Sequence, residues 1–477
     1  MFEASRPFAL FDYFRVPYDV RPSDADPPGI RLASERDGRG RVLLWAARED
    51  GASSGPCVLG RYEVQGCTFF GHVTSALPGC LREPGSEWRP AEPILNSAGR
   101  PVSAVWRDGD GNVFLPFDPG EVMHQYWSER YLTVGKSQVA GLARAAALRG
   151  YYLARPALPR PVQLALRRRF VAVQARARFP RWPIENSLHD LYRWLFSLVS
   201  DFAGAPVPLI DLWPAGRSWA MVLTHDVETG EGCAGIGLLR NAEREFGYRS
   251  SWNFVGQRYQ VGADTISALR DEGCEIGVHG LRHDGHDLGS ARTLRKRLPA
   301  MREYAEQWQA VGFRSPSTQR SWRLMPLLGF DYDSSYSDTD PYEPQPGGCC
   351  TYLPYFNEDL VELPITLPQD HTLFSILHDQ DGEVWLAKAR ELRDRHGMAL
   401  VLTHPDYARD PRLTGGYQAL LAAFADDDTL WRALPREAAQ WWRDRAASVI
   451  RPDGSGWRIE GPAADRGQVR LATPQPV

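Results

Sequence analysis

MVLTHDVETG, Met221 to Gly230, is the stretch whose reading decides the fold. An apolar run reads as a buried strand, and it ends in His225, Asp226 and Glu228. Unpaired charges are rarely left in a core, so a strand end is the natural place for them. On an extended strand neighbours point to opposite faces while alternate residues share one. Asp226 and Glu228 are therefore expected on the same side, and His225 is expected to point away.

Outward from that stretch, apolar strand candidates alternate with helical ones. SSWNFVG, TISALRDEG, EIGVHG, LRKRLPAMREYAEQWQAVG, VELPIT and MALVLTHP follow in turn. Such alternation implies crossover units, a parallel sheet and an α/β fold closed as a barrel. In such barrels reactive groups gather at the carboxyl ends of strands. Four ends carry suitable side chains: Asp226 with Glu228, His279 with His283 in HGLRH, Arg314 in FRSP, and His404 in LTHP. Two neutral imidazoles and one carboxylate make a facial set for a divalent metal. If His279 and His283 lie on one helical turn, their four-residue offset points both rings the same way.

Taken in order, these motifs resemble those of the polysaccharide deacetylase family (the chitooligosaccharide-deacetylase homology domain, carbohydrate esterase family four). THDVE is similar to its first motif, HGLRH to its second, FRSP to its third and LTHP to its last. VELPITLPQDH occupies the region of the fourth without an unmistakable match. The resemblance covers roughly residues 206–445. It implies a distorted (β/α) barrel, a divalent ion with zinc foremost, and removal of an N-acetyl group from an amino-sugar glycan or glycan precursor.

Carried over by position, the resemblance makes Asp226 the general base, His404 the general acid, and Arg314 the partner that keeps Asp226 ionised. Glu228, His279 and His283 become the metal ligands. Many members carry adjacent acids where this chain has Asp226, Val227 and Glu228, so the two acids' roles are open to exchange. A catalytically inactive glycan-binding or scaffolding protein, and a hydrolase of another C–N or phosphate ester bond, are the alternatives. Asp284, His286 and Asp287 are too many titratable groups for all to be ligands, and are expected as loop residues or as groups behind the ligands. Tyr336 and Tyr342 are expected either to line a sugar groove or to sit in a turn-rich loop. His371 and His378 are expected as surface or capping residues.

The chain of 477 residues is long enough for more than one domain. Residues 1–135 read as strand-rich, 136–205 as a helical connector, 206–445 as the barrel, and 446–477 as a hairpin tail. PVSAVWRDGDGNVFLPF is a hairpin whose turn imitates a calcium loop but lacks the Gly at position six and the acid at position twelve. Residues 155–183 carry many arginines and no acid, a solvated face or an anion-facing one.

A formal net charge of −4 gives no field to gather nucleic acid. No apolar run approaches the length of a membrane span. The first 20 residues lack the pattern of a secretory signal, so a cytoplasmic setting is expected. Seven scattered cysteines without a Cys-x-x-Cys unit fit reduced thiols there. Oligomeric state is open.

Overall fold

The computed structural model describes residues 2–24, 27–32, 40–46, 57–82, 87–135, 171, 174–176, 178–454 and 456–472. The helical stretch expected over 139–154 and most of the arginine-rich run lie outside these residues. The chain divides into two compact units: residues 1–144, 186–211 and 444–477 form one, and residues 145–185 and 212–443 the other.

In the first unit a nine-stranded mixed sheet spans Phe2 to Leu115. Pro101–Arg107 and Val113–Leu115 pair antiparallel, with Arg107 opposite Val113. In the turn between them the Asp108 carboxylate accepts from the Asp110 and Asn112 backbone N–H groups and from the Asn112 amide. The acid imitating a calcium ligand is thus spent on its own turn.

Helix Ser187–Ala203 buries Leu188, Leu191, Leu195, Leu198, Val199 and Phe202, an apolar stripe at three- and four-residue spacing. Its Phe196 ring meets Phe14 edge-on at 5.0 Å. The tail holds a hairpin and one further strand. Val449–Asp453 runs against Gly456–Glu460, and Val469–Ala472 instead pairs with Val207–Ile210. Gly454, with φ +58°, supplies the left-handed backbone that this tight turn needs.

The second unit is mixed α/β. Its strands are β1 (Trp219–Val227), β2 (Ser250–Phe254), β3 (Glu275–Val278), β4 (Gly312–Phe313), β5 (Tyr332–Asp333), β6 (Tyr355–Asn357), β7 (Leu360–Glu362), β8 (Met398–Thr403) and β9 (Leu430–Ala433). They lie in the order β6-β7-β5-β4-β3-β2-β1-β8, with β9 also on β1, and only β6 with β7 is antiparallel. Helices α1 (Gly230–Glu245), α2 (Ala263–Asp271), α3 (Ala291–Trp308), α4 (Glu383–Asp394) and α5 (Pro411–Ala423) join them.

All nine residues of β1 are buried, as a continuous apolar run in a parallel sheet requires. The sheet curls on itself. Just past β7, the Thr366 hydroxyl donates to the Met398 carbonyl and accepts from the Leu400 N–H, each at 2.7 Å, tying that end to β8. Because β4, β3, β2, β1 and β8 run parallel, their carboxyl ends share one rim.

Candidate active site

Asp226 ends β1 and is 2% exposed. Its neighbour His225 points the other way. Its ring nitrogens meet Thr403 Oγ1 and Glu243 Oε1, each at 2.6 Å, and the ring stacks on Trp252. On the inner face, Asp226 Oδ1 accepts from the Asn253 amide at 2.8 Å, while Oδ2 lies 3.6 Å from His279 Nδ1 and 3.7 Å from Arg314 Nη1. Asn253 fits there because the residue opposite it on β3 is Gly277, where a Cβ would overlap the Asn253 amide.

Burial alone would raise the Asp226 carboxyl, yet its pKa is lowered. His279 lowers it most, followed by the charges of Arg314 and His404, with the Asn253 hydrogen bond adding to them.

His279 and His283 come together by a different route from a helical turn. Residues 279–285 form an irregular loop in which Gly280 (φ +66°) and His283 (φ +53°) are left-handed. That reversal folds His283 back, leaving the ring centroids 5.1 Å apart. Asp287 accepts from the Leu281 N–H at 3.1 Å, and Arg297 grips both Asp284 and Asp287, so these acids brace the loop.

His279 Nδ1 meets the Arg314 carbonyl at 3.1 Å. A carbonyl only accepts, so Nδ1 carries the proton and Nε2 presents a lone pair. That Nε2 is buried without a hydrogen-bond partner. Burial holds the ring neutral, with its pKa down at about 4.

Glu228 closes the set. Its Oε1 lies 2.8 Å from His283 Nε2, yet the pair is not aligned as a hydrogen bond. One ligand atom each from Glu228, His279 and His283 falls within 4.8 Å of the others. Two imidazoles and a carboxylate converging on one point are the donor set that a divalent cation takes. The observed second bond from His279 Nδ1 to a carbonyl is the kind that orients such a ligand. The residues present therefore fit a metal.

His404, at the end of β8, is 6% exposed. Nδ1 sits 2.6 Å from Asp370 Oδ1, and Nε2 lies 3.8 Å from Glu228 Oε1. Burial would lower this imidazole, but Asp370, Glu228 and Asp226 outweigh it and push its pKa to about 10. Arg314 is 1% exposed and donates through Nη2 to Thr224 Oγ1 at 3.0 Å and Ser334 Oγ at 2.9 Å. Its Nη1 faces Asp226.

All six residues that the sequence motifs single out thus meet at one rim. Tyr336 and Tyr342 are buried, at 2% and 8% exposure, so neither offers an open face to a sugar. His378 closes the short helical segment His371–Leu377 in a left-handed cap.

Three further residues join the site from outside those motif positions. Asp370 stands in VELPITLPQDH just before the apolar HTLFSIL and accepts from the His371 N–H, so its cap position is a usable sequence signal. Asp406, two residues after His404, accepts from the Glu228 N–H at 3.0 Å and from Thr229 Oγ1 at 2.5 Å. Asn253 has no sequence signal, since only strand order places it beside Asp226.

No protein-family profile matches the chain, and no curated protein does. Polysaccharide deacetylases and family 4 carbohydrate esterases are among the solved structures it is similar to, over about half of its length. A Mycobacterium smegmatis protein named as a polysaccharide deacetylase shares 23% identity at a TM-score of 0.41, over 50% of this chain and 96% of that one. A Pseudomonas aeruginosa PAO1 protein named likewise shares 18% at 0.39, over 51% and 97%. The Puue allantoinase shares 18% at 0.39, over 56% and 98%. Function is therefore read from this site's own residues.

Proposed function

We propose that the chain is a metal-dependent hydrolase that removes an N-acetyl group from an amino-sugar glycan or glycan precursor, on a distorted (β/α) barrel of the polysaccharide deacetylase type. The observation that carries this reading is the converging set Glu228, His279 and His283, with a buried acid on one side and a buried protonated histidine on the other. A binding-only site has no need of both.

Glu228, His279 and His283 would hold the ion, for which zinc is the first candidate. Bound there, a divalent ion supplies Lewis acidity to the acyl oxygen and to a water. Asp226, kept ionised by Arg314, takes the proton of the attacking water. His404 donates from Nε2 to the departing nitrogen, since an amide nitrogen leaves poorly as an anion. Asp370 holds that ring by Nδ1, so Nε2 is the nitrogen that faces the substrate. Asn253 fixes the Asp226 carboxylate by one oxygen and leaves the other toward the water.

The test is elemental analysis of purified protein beside a His279→Ala variant, followed by acetate release from an N-acetylated oligosaccharide. About one divalent ion per chain, lost in the variant, with acetate released only by the loaded wild type, is the expected result. Protein that takes up no metal on reconstitution would overturn the reading in favour of a glycan-binding role.

A further inference from the structure

Two arginines at the mouth of the site have no part in the chemistry above. Arg258 follows β2 and Arg282 follows β3, on loops that are laced together. The Gln257 N–H donates to the Leu281 carbonyl at 2.6 Å, the Gly256 N–H to the Gly280 carbonyl at 3.3 Å, and Arg282 Nε to Gln257 Oε1 at 3.2 Å. Arg258 reaches inward until Nη1 lies 4.0 Å from Glu228 Oε2, while its side chain stays 37% exposed. Arg282 is exposed too.

The acids that would ordinarily neutralise them are engaged elsewhere. Asp284 and Asp287, on the Arg282 loop, are both gripped by Arg297, at 2.6 Å and 2.7 Å. Asp370 is taken by His404. Asp406 is occupied by the Glu228 N–H and Thr229. Among the described residues, no carboxylate comes within 4 Å of Arg282, and Arg258 meets only Glu228, which already faces His283 and His404.

We propose that Arg258 and Arg282 read an anionic group on the substrate, a carboxylate or a phosphate lying within a few ångströms of the acetamide. This rests on the hydrolase reading of the site and narrows its substrate class to acidic amino sugars. A guanidinium suits such a ligand, because its planar fork pairs with two oxygens of a carboxylate or phosphate at once and it keeps its charge at any working pH. Both arginines are exposed, and they stand on loops that are hydrogen-bonded to each other beside the candidate ligands.

The experiment compares metal-loaded full-length protein with Arg258→Ala, Arg282→Ala and the double variant. Three acetamide probes are used: neutral N,N′-diacetylchitobiose, the carboxylate N-acetylmuramic acid and the phosphate ester N-acetylglucosamine 1-phosphate. Wild-type kcat/KM is expected to favour an anionic probe by about tenfold or more, as a charge-assisted hydrogen bond allows. The double variant loses that preference, and added salt weakens it in the wild type. Which probe is favoured tells carboxylate from phosphate.

Equal use of all three probes, or a parallel loss on all three in the variants, overturns the proposal and leaves Arg258 as a counter-charge to Glu228 and Arg282 as a loop brace on Gln257; the hydrolase reading then still stands. Acetate from none of the probes sinks the hydrolase reading instead. Calorimetric binding of N-acetylglucosamine 1-phosphate against N-acetylglucosamine then decides the arginines' role without turnover. Selective binding of the phosphate that vanishes in the double variant supports it, and equal binding rejects it. Both positions are exposed, so unchanged melting is the folding control.

Discussion

His404 and Asp370 meet through two bonds: the carboxylate lies 2.6 Å from the ring Nδ1 by one oxygen and takes the His404 backbone N–H at 2.6 Å by the other. The imidazole is held by this clamp in both orientation and charge. Replacing Asp370 by Asn keeps an acceptor but removes the anion, so the His404 pKa must fall from about 10. The alkaline limb of the kcat profile is expected to move to lower pH, with kcat down by about 10²- to 10⁴-fold. A pH series on Asp370→Asn checks this, and an unmoved alkaline limb would mean that His404 is not the acid.

Asp226 and Glu228 differ in what they face, and two variants separate their roles. Asp226→Asn is expected to retain metal and lose acetate release, since the Asn253 amide and Arg314 hold that side chain. Glu228→Gln is expected to lose metal affinity by about 10- to 100-fold or more. Metal content measured on both decides it, and the opposite pattern would exchange the two assignments.

Arg314 opposes the cost of burying the Asp226 charge. Arg314→Gln removes that opposition, so the Asp226 pKa rises and the acid limb of kcat/KM moves upward by about one pH unit. A rate profile carried from neutral pH down below the ordinary carboxylate range reads it. If the limb stays put while activity falls, Arg314 acts on the substrate and not on the base.

Gly280 separates His279 from the loop that returns His283. At φ +66° it is left-handed, and a Cβ there would sit 2.5 Å from Asp287 Oδ2 and 2.6 Å from Pro316 Cγ. Gly280→Ala is expected to cost about 1–3 kcal/mol and to weaken metal binding together with stability. Denaturant midpoints and a metal titration on the same sample check both.

Glu275 opens β3 at the opposite end of the strand, accepting from the Tyr332 hydroxyl at 2.8 Å and the Arg436 N–H at 3.0 Å. Burial pushes its carboxyl up to about 7 from an ordinary 4.5. Between those values the native state keeps a proton that the unfolded chain has lost, so this residue's contribution to stability falls as pH rises, by roughly 3 kcal/mol in all. Glu275→Gln imitates the protonated form. Its stability relative to wild type should improve from pH 5 to pH 8 in urea unfolding, and a constant difference would show that Glu275 does not titrate there.

The sequence by itself determined the local features: the buried strand that ends at Asp226, the side to which His225 and Asp226 turn, the alternation that makes a parallel sheet, and the hairpin around Asp108. Each is a matter of chain geometry within a few residues, where side-chain period and turn chemistry suffice. The tertiary structure alone decided the rest. His283 returns to His279 through a left-handed loop, although four-residue spacing suggests a helical turn. Asp370 reaches His404 across 34 residues, and Asn253 reaches Asp226 across 27. Helix Ser187–Ala203 and the tail join the amino-terminal strands in one unit. Those partnerships depend on strand order and register, which are fixed when the whole core closes and leave no trace in local periodicity.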